Sequence, residues 1–289
     1  MDNKKLKSEN TKLVIAISSR ALFNLDQSHK IFKEKGIEAY AKHQQENEHV
    51  ILEPGVGFTL VKKLLKLNSK KTPIDVILLS RNSADTGLRI FNSIEHYDLN
   101  ISRAAFTRGE STHPFVGAFE ADLFLSSNYN DVQKALQSGY AAASIVESKS
   151  NNSHPSQLRI AFDGDAVIFS DESERIFQEK GLEAFHENEI LSEKIELKAG
   201  PFKSFLVSLQ KIQSTFPEED NPIRTALVTA RSAPSHRRVI HTMRKWGIRI
   251  DESFFLGGLE KGVFLRQFAA DIFFDDQQQH CESASQYVP

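Results

Sequence analysis

The chain has 289 residues, 40% hydrophobic and 26% charged, enough for one large or two ordinary globular domains and too apolar for a disordered chain. Lys plus Arg total 36 against 38 Asp plus Glu, so a formal net charge of −2 gives no electrostatic reason to expect nucleic acid or an anionic membrane as partner. The single cysteine, Cys281, excludes an intramolecular disulfide framework and a multi-cysteine zinc site, and fits a reducing compartment.

A basic start, Lys4-Lys5-Leu6-Lys7, precedes the apolar run Leu13 to Ile17. That run is shorter than the roughly 7–15 residues of a signal-peptide core. No stretch reaches the ~18–20 apolar residues of a membrane span. A cytoplasmic protein is expected. The run reads as a strand, and charged helical periodicity follows over Asp26–His43. A second helix is predicted at Phe58–Leu67, a second strand at Asp75–Leu79, a basic amphipathic helix at Thr86–Glu95, and a last strand at Leu123–Leu125. Gly55-Val56-Gly57 reads as a plain turn rather than a phosphate cradle.

Ser148 to Gln157, rich in Ser and Asn, reads as a linker. The same layout then restarts: strand Leu158–Phe162, helices Asp171–Glu187 and Phe202–Ile212, strand Thr225–Val228, basic helix Ser235–Lys245, strand Ile272–Phe274. Residues 15–40 and 160–185 align without a gap at a shift of 145, with 12 of 26 identical. Further on the shift is 149, pairing Leu78–Ala84 with Leu227–Ala233 and Ala121-Asp122 with Ala270-Asp271. The sequence therefore reads as two copies of a unit of about 130 residues, with lobes at 1–147 and 158–289 joined by the linker 148–157. Strands alternating with helices predict an α/β fold: two Rossmann-like lobes with parallel sheets flanked by helices. Ligands in such folds bind beyond the carboxyl ends of the strands.

In the second copy those ends carry Asp163-Gly164-Asp165, then Thr229-Ala230-Arg231, then Lys261 after Gly257-Gly258, then Asp275-Asp276. One such Asp is ordinary turn chemistry. Several carboxylates at one edge repel unless compensated, and a hard divalent cation with oxygen ligands supplies that compensation.

Asp-x-Asp-x-Val after a strand, Thr229 at the second strand end, the later Lys261 and the Asp275-Asp276 pair resemble the four motifs of the haloacid dehalogenase superfamily of phosphohydrolases. More narrowly, Ala161 to Val167, Phe169 to Ser173, Ser18 to Phe23 and Asp271 to Gln277 resemble the type I cytosolic 5′-nucleotidases. The resemblance implies Mg²⁺-dependent hydrolysis of nucleoside 5′-monophosphates. It implies Asp163 as the nucleophile forming an aspartyl-phosphate and Asp165 as the general acid and base, its pKa raised by carboxylate neighbours and its carbonyl on the metal. Thr229 would donate to the phosphate, Lys261 would offset charge, and Asp275 with Asp276 would complete the metal site in an order the sequence does not rank. It also implies a further segment beyond Tyr287-Val288-Pro289. Two alternatives stay open: a phosphatase or phosphotransferase of the same superfamily acting on another small phosphometabolite, and a non-catalytic nucleotide-binding protein. Assembly into a homo-oligomer is left open.

The first copy has Ser18 and Arg20 where the second has Asp163 and Asp165, and Ser80, Thr112 and Ser126-Ser127 where it has Thr229, Lys261 and Asp275-Asp276. It lacks the carboxylates the reaction needs. Ser18, Arg20 and Arg231 are candidate substrate contacts, and two readings of the first lobe stay open: it packs across the catalytic edge and helps bind the nucleoside, or it packs elsewhere and only stabilises the chain. A small helical cap over Asp171–Glu187 is the other available cover. The cluster Arg231, Arg237, Arg238 and Arg244-Lys245 reads as a solvated helix face, and His236, His241 and His280 as carrying no chemistry.

Overall fold

The computed structural model describes residues 12–69, 73–148, 154 and 156–288. The basic start and most of the Ser/Asn-rich linker lie outside the described residues. In chain order the first half runs β1 (Leu13–Ser18), α1 (Ser19–Leu22), α2 (Asp26–Glu46), α3 (Phe58–Lys66), β2 (Ile74–Ser80), a 3₁₀ turn, α4 (Leu88–His96), β3 (Arg103–Phe106), α5 (Pro114–Ala118), β4 (Leu123–Ser126), α6 (Tyr129–Gln137) and β5 (Ala142–Ser144). The second half runs β6 (Leu158–Phe162), a wide turn (Gly164–Ile168), α7 (Glu172–Leu191), α8 (Lys203–Gln213), β7 (Ile223–Thr229), α9 (His236–Trp246), β8 (Glu252–Phe255), α10 (Lys261–Phe268), β9 (Ile272–Phe274) and α11 (Gln278–Ala284).

The strands form two parallel sheets, ordered β3-β2-β1-β4-β5 and β8-β7-β6-β9. The central strands are covered on both faces, which is why they read as continuous apolar runs rather than alternating ones. The strands that no apolar run announces, β3, β5 and β8, are edge strands of three or four residues, mostly half-buried.

In both sheets the strand order reverses between the first and fourth strands, the switch point where ligands bind. Register then decides which residues meet there. Phe162 pairs with Phe274, so Asp163 and Asp275 leave the second sheet side by side. Ile17 pairs with Leu125, so Ser18 and Ser126 do the same in the first.

One apolar cluster joins the inner faces of both sheets through α3 and α8, while separate clusters cover the outer faces. The contact between halves is reciprocal. Lys63 on α3 donates to Asp271 (2.6 Å) and to the carbonyls of His154 and Gln157, and Ser208 on α8 donates to Asp122 (2.8 Å). Asp271 and Asp122 each also accept a backbone amide of their own sheet, from Arg159 and Val14. Asp271, His154 and Gln157 precede β9 and β6, so Lys63 docks at the amino ends of these strands, opposite to Asp163 and Asp275.

Candidate functional site

Asp163 ends β6 and is almost fully buried. The turn after it is forced wide: Asp165 is extended and Ala166 sits at φ 59°, in the left-handed region that costs a non-glycine residue about 1 kcal/mol or more. Gly164 between the two aspartates lies where an added Cβ would stand 3.2 Å from the Thr229 hydroxyl, so a side chain there would push the turn or Thr229 aside by a few tenths of an ångström.

Lys261, the first residue of α10, is buried between two carboxylates, 2.9 Å from Asp163 and 2.6 Å from Asp275. Asp163, Asp275 and Asp276 bring ligand oxygens within 4.8 Å of one another. Burial pushes the Asp163 carboxyl up to about 7, with Lys261 pulling it down and Asp275 adding to the rise. Partial burial, then Glu174 and Asp275, push Asp276 up to about 6. Burial works against the Lys261 charge, but the two aspartates hold its pKa above the ordinary value. Asp275 also accepts the Gln277 amide (2.9 Å) and lies 3.2 Å from the His280 ring. The Thr229 hydroxyl is buried at the end of β7 and accepts the Arg231 amide.

Asp165 stands apart from this cluster. Both its oxygens accept from the Arg231 guanidinium at 2.7 Å, so its nearest charged partner is a cation and not the carboxylates expected. Arg231 continues to Glu189 on α7 (2.5 Å), and Arg238 on α9 joins Glu189 (2.9 Å) to Glu172. Arg231 and Arg238 are therefore buried and paired, which corrects the reading of a solvated helix face; Arg231 lies in the loop before α9. The sequence assigns no role to Glu172, Glu174, Glu189 or Gln277, because spacing does not say which helix face looks into the edge.

The long helix α7 bends at Gly181 (φ 82°) and leans over the site: Phe185 lies under the Arg231 guanidinium, and Glu174 accepts from Gln277. Among the described residues no hydrogen bond or ion pair joins the first half to Asp163, Asp165, Lys261, Asp275 or Asp276. The polar contacts between the halves lie instead at the amino ends of β6 and β9, through Lys63.

Ser18 and Arg20 sit at the other sheet's edge. Ser18 accepts the amides of Ala21 and Ser127. Arg20 pairs with Asp26 and lines a cavity of about 590 Å³ between its own edge and residues Ala270 to Ile272. None of Asp163, Asp165, Lys261, Asp275 and Asp276 lines that cavity, and among the described residues Ser18 and Arg20 make no hydrogen bond or ion pair with them.

Parallel sheets flanked by helices, with carboxylates and a lysine at a switch point, make this a Rossmann-like α/β protein with an enzyme-like polar edge. The chain belongs to the 5′-nucleotidase family, whose profile matches residues 5–289. It is 40% identical over 286 residues to a human protein named cytosolic 5′-nucleotidase 1B, covering 94% of this chain and 47% of that protein. The chain thus spans about half the length of this curated relative. No solved structure matches it. Among the described residues no helix is long and apolar enough to cross a membrane.

Proposed function

We propose that the protein is a Mg²⁺-dependent hydrolase of nucleoside 5′-monophosphates acting through an aspartyl-phosphate on Asp163. The observation that carries this reading is the convergence of Asp163, Lys261, Asp275 and Asp276 at one switch point in a chain of the 5′-nucleotidase family. Three clustered carboxylates with one lysine among them suit a hard cation and offer nothing to a soft one. Asp163, Asp275 and Asp276 would hold it. When bound, a divalent cation supplies positive charge against the phosphoryl oxygens.

The chain's own residues do the rest. A carboxylate oxygen of Asp163 attacks phosphorus, the bond to the ribose 5′-oxygen breaks, and that oxygen takes a proton from Asp165, whose carboxyl first takes one up from solvent and frees an oxygen from the Arg231 fork. Water then attacks the same phosphorus, Asp165 takes the proton back, and the Asp163–phosphate bond breaks to release phosphate. Lys261 offsets charge on Asp163 and on the phosphoryl group in both steps, and the Thr229 hydroxyl donates to a phosphate oxygen. Helix α7 excludes water from above.

Phosphate release from a panel of nucleoside 5′-monophosphates and sugar phosphates, after chelation and after adding back Mg²⁺, tests the reading. Activity lost on chelation, restored by Mg²⁺ and strongest on nucleotides is expected. Equal turnover of sugar phosphates would move the function to another phosphometabolite, and activity indifferent to chelation would remove the metal.

A further inference from the structure

The two halves provide an internal control for the buried charges around Asp165. Equivalent positions, matched by the shifts of 145 and 149, share part of one network. Arg89 and Arg238 each donate Nε to a backbone carbonyl, of Val50 and Ile195, at 2.8 and 2.9 Å. Each also donates Nη1 to the side chain at one α2 or α7 position, Gln44 or Glu189. Ser28 and Ser173 donate to that same side chain. These contacts recur in both halves, so they belong to the scaffold that ties the long helix to the helix after the second strand.

The remaining members differ together. Where the second half has Asp165, Arg231, Glu189 and Phe185, the first has Arg20, Asn82, Gln44 and Tyr40. In the first half Tyr40 donates to Asn82 (2.7 Å) and Gln44 donates to Tyr40 (3.1 Å), so these three side chains are neutral and the nearby charge is that of Arg89 on Gln44. In the second, a guanidinium fork spans Asp165 and Glu189. The scaffold closes without those charges. The cation at 231 and the anion at 189 occur in the half that has a carboxylate at 165.

We infer that Arg231 is a positioning residue for Asp165, and that Glu189 on α7 fixes Arg231 in turn. A guanidinium presents its donors in a rigid plane, so it sets the direction of a carboxylate that a lysine would hold at one point only. Glu189 occupies the Nη1 donor and leaves the Nε and Nη2 donors aimed at Asp165. The chain Asp165–Arg231–Glu189 therefore joins the side chain two residues after the nucleophile to the helix that covers the site. This rests on the reading of Asp165 as acid and base to the leaving group.

The experiment uses kcat/KM, which reports steps up to breakage of the phosphorus–oxygen bond. A nucleoside monophosphate leaves as an alkoxide and needs a proton; an aryl phosphate with an electron-withdrawing ring leaves as a stable phenolate and does not. Asp165→Asn should lower kcat/KM for the nucleotide about 100-fold or more and for the aryl phosphate by far less. Arg231→Lys should give the same selective loss, about tenfold, and Arg231→Lys with Asp165→Asn should fall no lower than Asp165→Asn alone. Glu189→Gln installs the residue the first half carries and should give a weaker form of the same pattern, which keeps the test available if Arg231→Lys does not fold. Losses equal on both substrates, or additive with Asp165→Asn, would overturn the positioning role. If Asp165→Asn itself shows no dependence on the leaving group, the acid assignment fails, and the positioning role falls with it.

Discussion

Four strands of the first sheet and the four of the second follow the same order, but their carboxyl edges have opposite chemistry. At the first edge, side chains pair with one another. Ser19 bonds Ser80 (3.0 Å), Ser18 takes two amides, and buried Asp131 receives the Arg81 fork together with the Ser111 and Thr112 hydroxyls. At the second edge one lysine serves Asp163 and Asp275, and Asp276 stands beside them. At the first edge most of these groups are paired, though among the described residues Arg20 Nε and Asn82 Nδ2 are not, while the second edge keeps anionic charge in excess. A fold thus supplies the place, and chemistry depends on whether the polar groups there are already satisfied.

The sharpest way to break the comparison is to remove one oxygen from each edge. Asp163→Asn keeps shape and removes the attacking anion; turnover of nucleoside monophosphates should fall at least about 1,000-fold, some 4 kcal/mol of barrier. Ser18→Ala at the matching position should leave turnover within about threefold, because its hydroxyl only accepts the amides of Ala21 and Ser127. Steady-state phosphate release on both variants decides. Comparable losses would mean the first edge takes part in the reaction.

A smaller effect, on stability instead of rate, is expected at Asp131. Asp131→Asn leaves Arg81 and two hydroxyls with a poorer acceptor, at a cost of about 1–2 kcal/mol given that Arg81 is partly exposed. Denaturant unfolding should show the loss while turnover stays near that of the parent. A large fall in turnover at unchanged stability would contradict the view that this edge is structural.

Much of this contrast is legible in the amino-acid sequence alone. Strands such as Leu13–Ser18 and Ile223–Thr229 are buried on both faces and announce themselves as apolar runs, and residues immediately after a run must lie at the sheet edge. That is why Asp163, Thr229 and the Asp275-Asp276 pair can be read. The edge strands Arg103–Phe106 and Glu252–Phe255 cannot, since half-buried strands of four residues mix charge with aromatics. Nor can Glu189, whose approach depends on the bend of α7 at Gly181. Arg238 reads as solvent-facing because its helix is densely basic; the buried Glu189, Glu172 and the Ile195 carbonyl explain its burial.

The last and smallest difference concerns pH. Burial and the neighbouring Asp275 outweigh Lys261 and raise Asp163 to about 7, and Asp276 rises to about 6. Folded chains therefore keep protons that unfolded carboxyls release near pH 4. Stability from these two groups is complete below about pH 4 and is lost as pH climbs toward 7. Lys261, raised by the same pair, does not offset this, because its contribution stays constant until the pH approaches its unfolded value near 10. Asp131 goes the other way. Burial opposes its charge, but Arg81 and Ser111 hold its pKa below the ordinary value, so its contribution is present above about pH 4 and is lost on acidification. In chelator-treated protein, melting should fall by a few degrees between pH 5 and 7.5, and Mg²⁺ should raise it more at pH 7.5 than at pH 5, because protons compete for the same oxygens. Replacing Asp163 and Asp276 together by Asn should flatten the first slope and abolish the Mg²⁺ effect, while Asp131→Asn should leave both intact. An unchanged slope in the double variant would place the pH-sensitive protons elsewhere than at the second edge.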